Sequence, residues 1–251
     1  AVGTAAAAEA GGGNAAAAVA APLPPTQLFL VRHGETVWNA EHRVQGQLDV
    51  CLNDAGRVQA RRVAEALKRL GVAERADAVV SSDLARASET ADTIASVCPG
   101  ARRLVDAGLR EVHSGQLQGK LASEVQAAQA DVASAWRRGD FSRKVPGGES
   151  LGEVVERGLS SLRAAAEQGS CVVVVSHGGL IKWCAVSIEL GELPPSPQAM
   201  ASVPVANLLH APVVNCCCSS LLYDHGSRRF RSNGWFQVLE GGAAGARDDT
   251  G

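Results

Sequence analysis

The chain reads as an α/β protein, with three layers in which a mostly parallel sheet carries helices on both faces. Short apolar runs alternate with stretches of helical spacing from residue 27 to residue 239. The run Cys171–Val175 is apolar throughout, as a central parallel strand buried on both faces must be. With 251 residues, 46% of them hydrophobic, the chain can bury one sizeable core.

The first strand is Leu28–Val31, which stops at Arg32-His33-Gly34. A loop with Trp38, Asn39, Gln45 and Gly46 follows. Asn53 is an N-cap, and Ala60, Val63, Ala64, Leu67 and Leu70 form the buried stripe of a helix that Gly71 ends. Asp77–Val80 is the second strand and runs into Ser81-Ser82-Asp83. The next helix turns Leu84, Ala87, Ala91 and Ile94 inward, with Arg86 in its first turn on another face. A short strand at Arg103–Val105 leads to the polar segment Leu109-Arg110-Glu111. Leu121–Arg138 has helical composition, and Pro146-Gly147-Gly148 closes a loop. Ser150-x-x-Glu153 is a capping box ahead of the stripe Leu151, Val154, Val155, Leu159 and Leu162. Cys171–Val175 ends in Ser176-His177-Gly178-Gly179, where a helix begins. Residues 191–212 form a long Pro-interrupted connection, and Val213–Tyr223 and Arg229–Leu239 make two terminal strands.

Residues 1–26 are an Ala/Gly tract closed by prolines, with the composition of a disordered segment, and residues 240–251 are a second such tail. The formal charge of −2 gives no broad basic field for nucleic acid, so any anion must be held by a local pocket. No uncharged apolar run approaches the roughly 18 residues a membrane span needs. The seven cysteines are scattered apart from Cys216–Cys218 and lack the spacing of a zinc site or disulfide framework. They read as reduced core thiols, which places the protein in the cytoplasm, with an organelle as the alternative.

In a doubly wound sheet, ligands bind beyond the carboxyl ends of the strands. Here three strands end in polar groups: Arg32 and His33, then Ser81-Ser82 with Arg86, then His177. Parallel strands bring all three ends to one edge. Two arginines and two histidines together repel one another unless an anion sits between them, and guanidinium forks match phosphoryl oxygens. Gly178-Gly179 at a helix start adds backbone N–H donors. Histidine is a competent nucleophile toward phosphorus, and Glu111 is the candidate proton donor for the leaving oxygen. Taken singly, each residue has a plain structural explanation: a surface arginine, a helix-capping histidine, a solvated carboxylate. The joint placement is what argues for a site. Trp38, Trp136, Trp183 and Trp235 read as packing residues. No paired carboxylates, H-E-x-x-H or P-loop point to a metal or cofactor.

Leu30-Val31-Arg32-His33-Gly34-Glu35-Thr36 with Asn39 resembles the defining motif of the histidine phosphatase superfamily, the phosphoglycerate mutase-like fold. Ser81-Ser82-Asp83-Leu84-x-Arg86-Ala87, Leu109-Arg110-Glu111, Pro146-Gly147-Gly148-Glu149-Ser150 and Val175-Ser176-His177-Gly178-Gly179 are similar to its later motifs, in the same order. Asn215 and the small residues after it resemble the family's late strand. The strongest likeness is to the plant-type phosphoglycerate mutase-like proteins. The resemblance implies His33 as the nucleophile that becomes phosphohistidine. It implies Arg32, Arg86 and His177 as holders of the phosphoryl oxygens, and Glu111 as general acid and base. Asn39 is implied near the phosphate, Gln45 and Gly46 in the substrate pocket, and no metal.

Departures from the mutase pattern favour a phosphatase. Mutases of this family usually carry His-Gly-Asn where this chain has His177-Gly178-Gly179, and a longer basic insertion than the stretch from Gly119 to Pro146. Trp136-Arg137-Arg138 resembles that insertion but falls on an ordinary helix end. Residues 191–212 exceed the family norm and are expected near the pocket entrance. The reading is a metal-independent phosphatase acting on a small phosphorylated metabolite such as phosphoserine or a sugar phosphate. The alternatives are a cofactor-dependent phosphoglycerate mutase using the same residues and a catalytically silent phosphate-binding protein.

Overall fold

A computed structural model describes residues 23–128, 130–191 and 200–239. Its sheet has six strands in the order β3-β2-β4-β1-β5-β6. They are β1 (Thr26–Arg32), β2 (Ala78–Ser81), β3 (Arg102–Val105), β4 (Cys171–Ser176), β5 (Cys218–Asp224) and β6 (Arg229–Gln237). The first four run parallel; β5 pairs antiparallel with β1, and β6 with β5. The helices are α1 (Val37–Ala40), α2 (Asp54–Arg69), α3 (Ala85–Ala95), α4 (Ala122–Ala128), α5 (Ala130–Arg137), α6 (Leu151–Ala166), α7 (Gly178–Leu190) and α8 (Val203–His210).

The period-two alternation of the strands sorts side chains between two cores. Phe29, Val31, Val79, Val173 and Val175 face α2 and α3, meeting Val63, Leu67, Ala87, Ala91 and Ile94. Leu28, Leu30, Val80, Val172 and Val174 face the other way, onto α6 and α7. The valine run of β4 is therefore continuous because both of its faces are buried, which accounts for the three layers.

Local chemistry sets the helix ends. Asn53 Oδ1 accepts the N–H of Gly56 (2.7 Å) at the start of α2. Gly71, at φ +66°, supplies the left-handed residue that ends the turn after α2. Ser150 and Glu153 form the expected capping box of α6. The start of α3 has no cap from its own residue, Leu84; Asp49 reaches across and accepts the N–H of Ala85 (2.7 Å).

Several elements differ from the sequence reading. The helical stretch expected over 121–138 is described as Ala122–Ala128 and Ala130–Arg137, with residue 129 outside the described residues. The segment 213–217 is not strand: Cys216 adopts a left-handed φ of +56°, which breaks extended geometry before β5. β1 begins at Thr26, one residue inside the expected N-terminal tail. Residues 1–22 and 240–251 lie outside the described residues, as does 192–199 of the long connection. Among the described residues no helix is long and apolar enough to cross a membrane.

Candidate active site

The parallel registers align the strand ends. Arg32 of β1 lies opposite Ser176 of β4, and Ser81 of β2 lies opposite Val175. The next residues of the three strands, His33, Ser82 and His177, therefore emerge together at one edge of the sheet. The sheet ladder continues one step past β1, with the N–H of His33 donating to Ser176 O (2.9 Å). Gly34 then turns against α2 so closely that a Cβ there would stand 2.5 Å from Gly56 O, so only glycine fits. Its N–H donates to Thr90 Oγ1 (3.0 Å), tying the turn to α3.

His33 is 2% exposed and lines a cavity of about 560 Å³ together with Arg32, Asn39, Gln45, Gly46, Arg86 and Glu111. Its Nδ1 lies 2.7 Å from Gly34 O. A carbonyl only accepts, so Nδ1 carries the proton and the Nε2 lone pair is free. Burial, with Arg32 and Arg86 nearby, holds the imidazole well below its ordinary value of 6.5, so the ring is neutral. His177 is fully buried, and its ring packs on that of His33 with centroids 5.1 Å apart. Burial, Arg86, His33 and Arg32 depress it in the same direction.

Arg86 is fully buried, contrary to a plain surface role, and burial lowers its pKa to about 10. Its Nη1 and Nη2 donate to Leu48 O (2.9 Å) and Gly46 O (2.8 Å), which fastens the loop bearing Gln45 to α3. Arg32 donates through Nη1 to Val213 O, in the segment that the sequence reading made strand. The Nε of each arginine, both ring nitrogens of His177 and Oε1 of Gln45 are buried without a hydrogen-bond partner. Orphaned buried polar groups cost about 1–3 kcal/mol each. The Nε donors of Arg32 and Arg86, both at the cavity, make that end a site organised for an anion, while His177 stands against the His33 ring and is not itself a lining residue.

Glu111 differs from its expected setting. The first amides of α7 were expected to serve a phosphoryl group. Instead Gly179 N–H donates to Glu111 Oε2 (3.0 Å) and Leu180 N–H to Oε1 (3.0 Å), while Val112 N–H also reaches Oε1 (2.9 Å). The carboxylate takes the helix N-terminus because an anion is favoured there. A carboxylate accepts at about four lone-pair positions. Three are occupied, two on Oε1 and one on Oε2, which leaves the unspent position on Oε2. Gly178 does not line the cavity; a Cβ there would meet Arg32 Nε at 3.3 Å, so its bareness makes room for that guanidinium. The hydroxyls of Ser81 and Ser82 are spent locally, on Ser82 O (2.8 Å) and Leu84 N (3.3 Å), and do not reach the cavity.

The sequence reading missed the support beneath Glu111. Arg157 of α6 donates to Gly108 O (2.9 Å), Arg110 O (2.6 Å) and Glu111 O (2.9 Å). The same guanidinium grips Glu149, whose Oε2 accepts the N–H of His113 (2.7 Å). Glu149 belongs to a motif already singled out; Arg157 carried no signal beyond its charge. Trp136 and Trp183, read as packing, both line the cavity. The described part of the long connection, residues 200–212, does not. Among the described residues no group of three or more His, Cys, Asp or Glu is placed to hold a metal ion.

A neutral histidine beside two arginines and a carboxylate, at the carboxyl edge of this sheet, is an arrangement suited to phosphoryl groups. The family model described as the histidine phosphatase superfamily (branch 1) matches residues 28–235, and the chain belongs to that superfamily. It is 43% identical to phosphoglycerate mutase-like protein 4 of Arabidopsis thaliana, over 62% of this chain and 68% of that protein. It is 41% identical to a metal-independent phosphoserine phosphatase of the same plant, over 62% of this chain and 66% of the relative. Among solved structures, a mycobacterial glucosyl-3-phosphoglycerate phosphatase in complex with VO3 superposes with a TM-score of 0.70 at 30% identity. That match covers 85% of this chain and all of the other.

Proposed function

We propose that the chain is a metal-independent phosphatase that hydrolyses phosphomonoesters through a phosphohistidine on His33. The observation that carries this reading is the neutral, tautomer-fixed His33 facing unpartnered buried donors of Arg32, Arg86 and His177. In the first step Nε2 attacks phosphorus and an N–P bond forms as the ester P–O bond breaks. Arg32, Arg86 and His177 hold the equatorial oxygens, whose charge grows in the transition state. Glu111 serves as the general acid for the departing alkoxide. In the second step water attacks phosphorus, the N–P bond breaks, and Glu111 takes the proton of that water. Inorganic phosphate leaves, and both residues return to their starting states. Asn39, Gln45 and Gly46 position the ester at the same end of the cavity, and Gly178 contributes by making room for Arg32. The phosphatase and metal-independent phosphoserine phosphatase relatives support this reading. The scattered cysteines, without the spacing of a disulfide framework, favour a cytoplasmic location.

The test is a phosphorus NMR time course in the presence of EDTA with phosphomonoesters, including 3-phosphoglycerate with a trace of 2,3-bisphosphoglycerate. Free phosphate is expected. Growth of 2-phosphoglycerate without free phosphate would make the chain a mutase. His33→Ala is expected to abolish turnover while the circular dichroism spectrum stays native; a variant that kept most of its activity would end the phosphohistidine mechanism.

A further inference from the structure

The cavity that begins at His33 continues into a second half of different character. Leu117, Val125, Val132, Trp136, Val145 and Trp183 wall it. Trp136 meets Trp183 edge to face, with ring centroids 6.3 Å apart, and Trp183 meets Phe141 in the same way at 5.5 Å. The indole N–H of Trp136 donates to Arg143 O (2.7 Å), so that ring has no polar handle left for a ligand.

The polar side chains of this half are mostly committed elsewhere. Arg43 pairs with Glu41 (2.6 Å) and donates to Gly119 O (3.0 Å). Ser114 Oγ donates to Val112 O (3.3 Å). Arg137 remains, on an exposed stretch of α5 at the cavity rim. Among the described lining residues the only carboxylate is Glu111, at the phosphoryl end and bonded to three amides. Among the described residues the wall therefore offers no anion to an ammonium group and little to a ring of hydroxyls. An apolar body placed there would be desolvated against aliphatic and indole surface.

We infer that the preferred substrate is a phosphomonoester of an apolar alcohol, with an aryl-alkyl or branched-alkyl body seated against Trp136 and Trp183 while its phosphate meets His33. The inference rests on the phosphatase reading above and narrows the substrate expected from the sequence, which was phosphoserine or a sugar phosphate. The body enters as the leaving group, so its burial beside Glu111 also keeps water from the departing alkoxide until protonation.

The experiment compares kcat/KM for phenethyl phosphate, O-phosphoserine and glycerol phosphate, all of which release alkoxides. Phenethyl phosphate is expected to be preferred by at least about tenfold, the scale on which an apolar pocket discriminates. Trp136→Ala is expected to lower the ratio of phenethyl phosphate to O-phosphoserine by a similar factor. Equal or better use of O-phosphoserine, or an unaltered ratio in the variant, would overturn the substrate class and leave the phosphatase reading standing. No release of phosphate from any of the three esters would overturn both.

Discussion

Arg157 donates from Nε and Nη2 to the two carboxylate oxygens of Glu149, at 2.8 and 2.9 Å. With its remaining donors it holds the carbonyls of Gly108, Arg110 and Glu111. One guanidinium thus fixes the backbone that carries the proposed acid, without touching the cavity. Arg157→Ala is expected to lower kcat by about 10²-fold, the cost of roughly an ångström of misplacement, with a much smaller change in KM. Arg157→Lys is expected to rescue little, because an ammonium cannot reproduce the fork. Steady-state kinetics of the two variants decide it: a rise in KM with kcat unchanged would assign Arg157 to binding instead.

Glu111→Gln replaces two acceptor oxygens with one. Its expected signature is a dependence on the leaving group. Turnover of phenethyl phosphate should fall by about 10²–10⁴-fold, the usual range for a lost general acid. Turnover of p-nitrophenyl phosphate should fall far less, since that phenolate departs without a proton. Equal losses on both substrates would remove Glu111 from the acid role.

Stability should depend on pH through the two buried imidazoles. Both His33 and His177 are held well below 6.5 in the folded state, whereas unfolded histidine titrates near that value. Below pH 6.5 the unfolded chain therefore binds protons that the folded chain refuses, so stability declines as pH falls toward the folded values. The limiting slope is about 1.4 kcal/mol per pH unit for each group. Thermal melts between pH 7.5 and 5 should show Tm dropping, and His177→Asn should flatten the dependence. Orthovanadate or phosphate should raise Tm by mass action on the anion site. A Tm that does not respond to either anion would count against that site.

The thiols give an independent check on the packing. Burial pushes Cys98 and Cys217 up to about 11, and Cys184, Cys216 and Cys218 up to about 12. Cys51 is the exposed thiol, and the other six are buried. Titration of the native protein with Ellman's reagent should release about one equivalent quickly, and the remainder only in denaturant. Fast reaction of Cys216–Cys218 would mean that the segment carrying Val213, the partner of Arg32, opens readily.

The layers and the polar edge where the strand ends meet were legible because they are local in sequence. An apolar run followed at once by Arg32-His33-Gly34 or His177-Gly178 names both a strand and what it presents. Parallel pairing then aligned those ends without further information. Arg86 was legible as a member of the strand-end cluster, but its full burial was not, since helical periodicity does not show that the loop at Gly46–Leu48 folds over it. Arg157 was missed because its partners are eight to nearly fifty residues away and mostly backbone carbonyls, which leave no mark in composition. Trp136 and Trp183 were read as packing, which is half right: they pack on each other and turn their outer faces to the cavity. The Glu111 clamp was hidden for a related reason, since a pair of glycines at a helix start does not say which anion will occupy it.

β1 is the first strand among the described residues, yet both of its neighbours are late ones, with Leu28 opposite Val172 on one side and Leu221 on the other. During synthesis His33 leaves the ribosome long before either flank of its strand exists. In refolding, closure of those two long loops must precede a working site, and such non-local pairing is the slow part of assembly. The return of activity is therefore a clock for the last strand pairing, and it should lag behind the recovery of helix signal and of apolar burial.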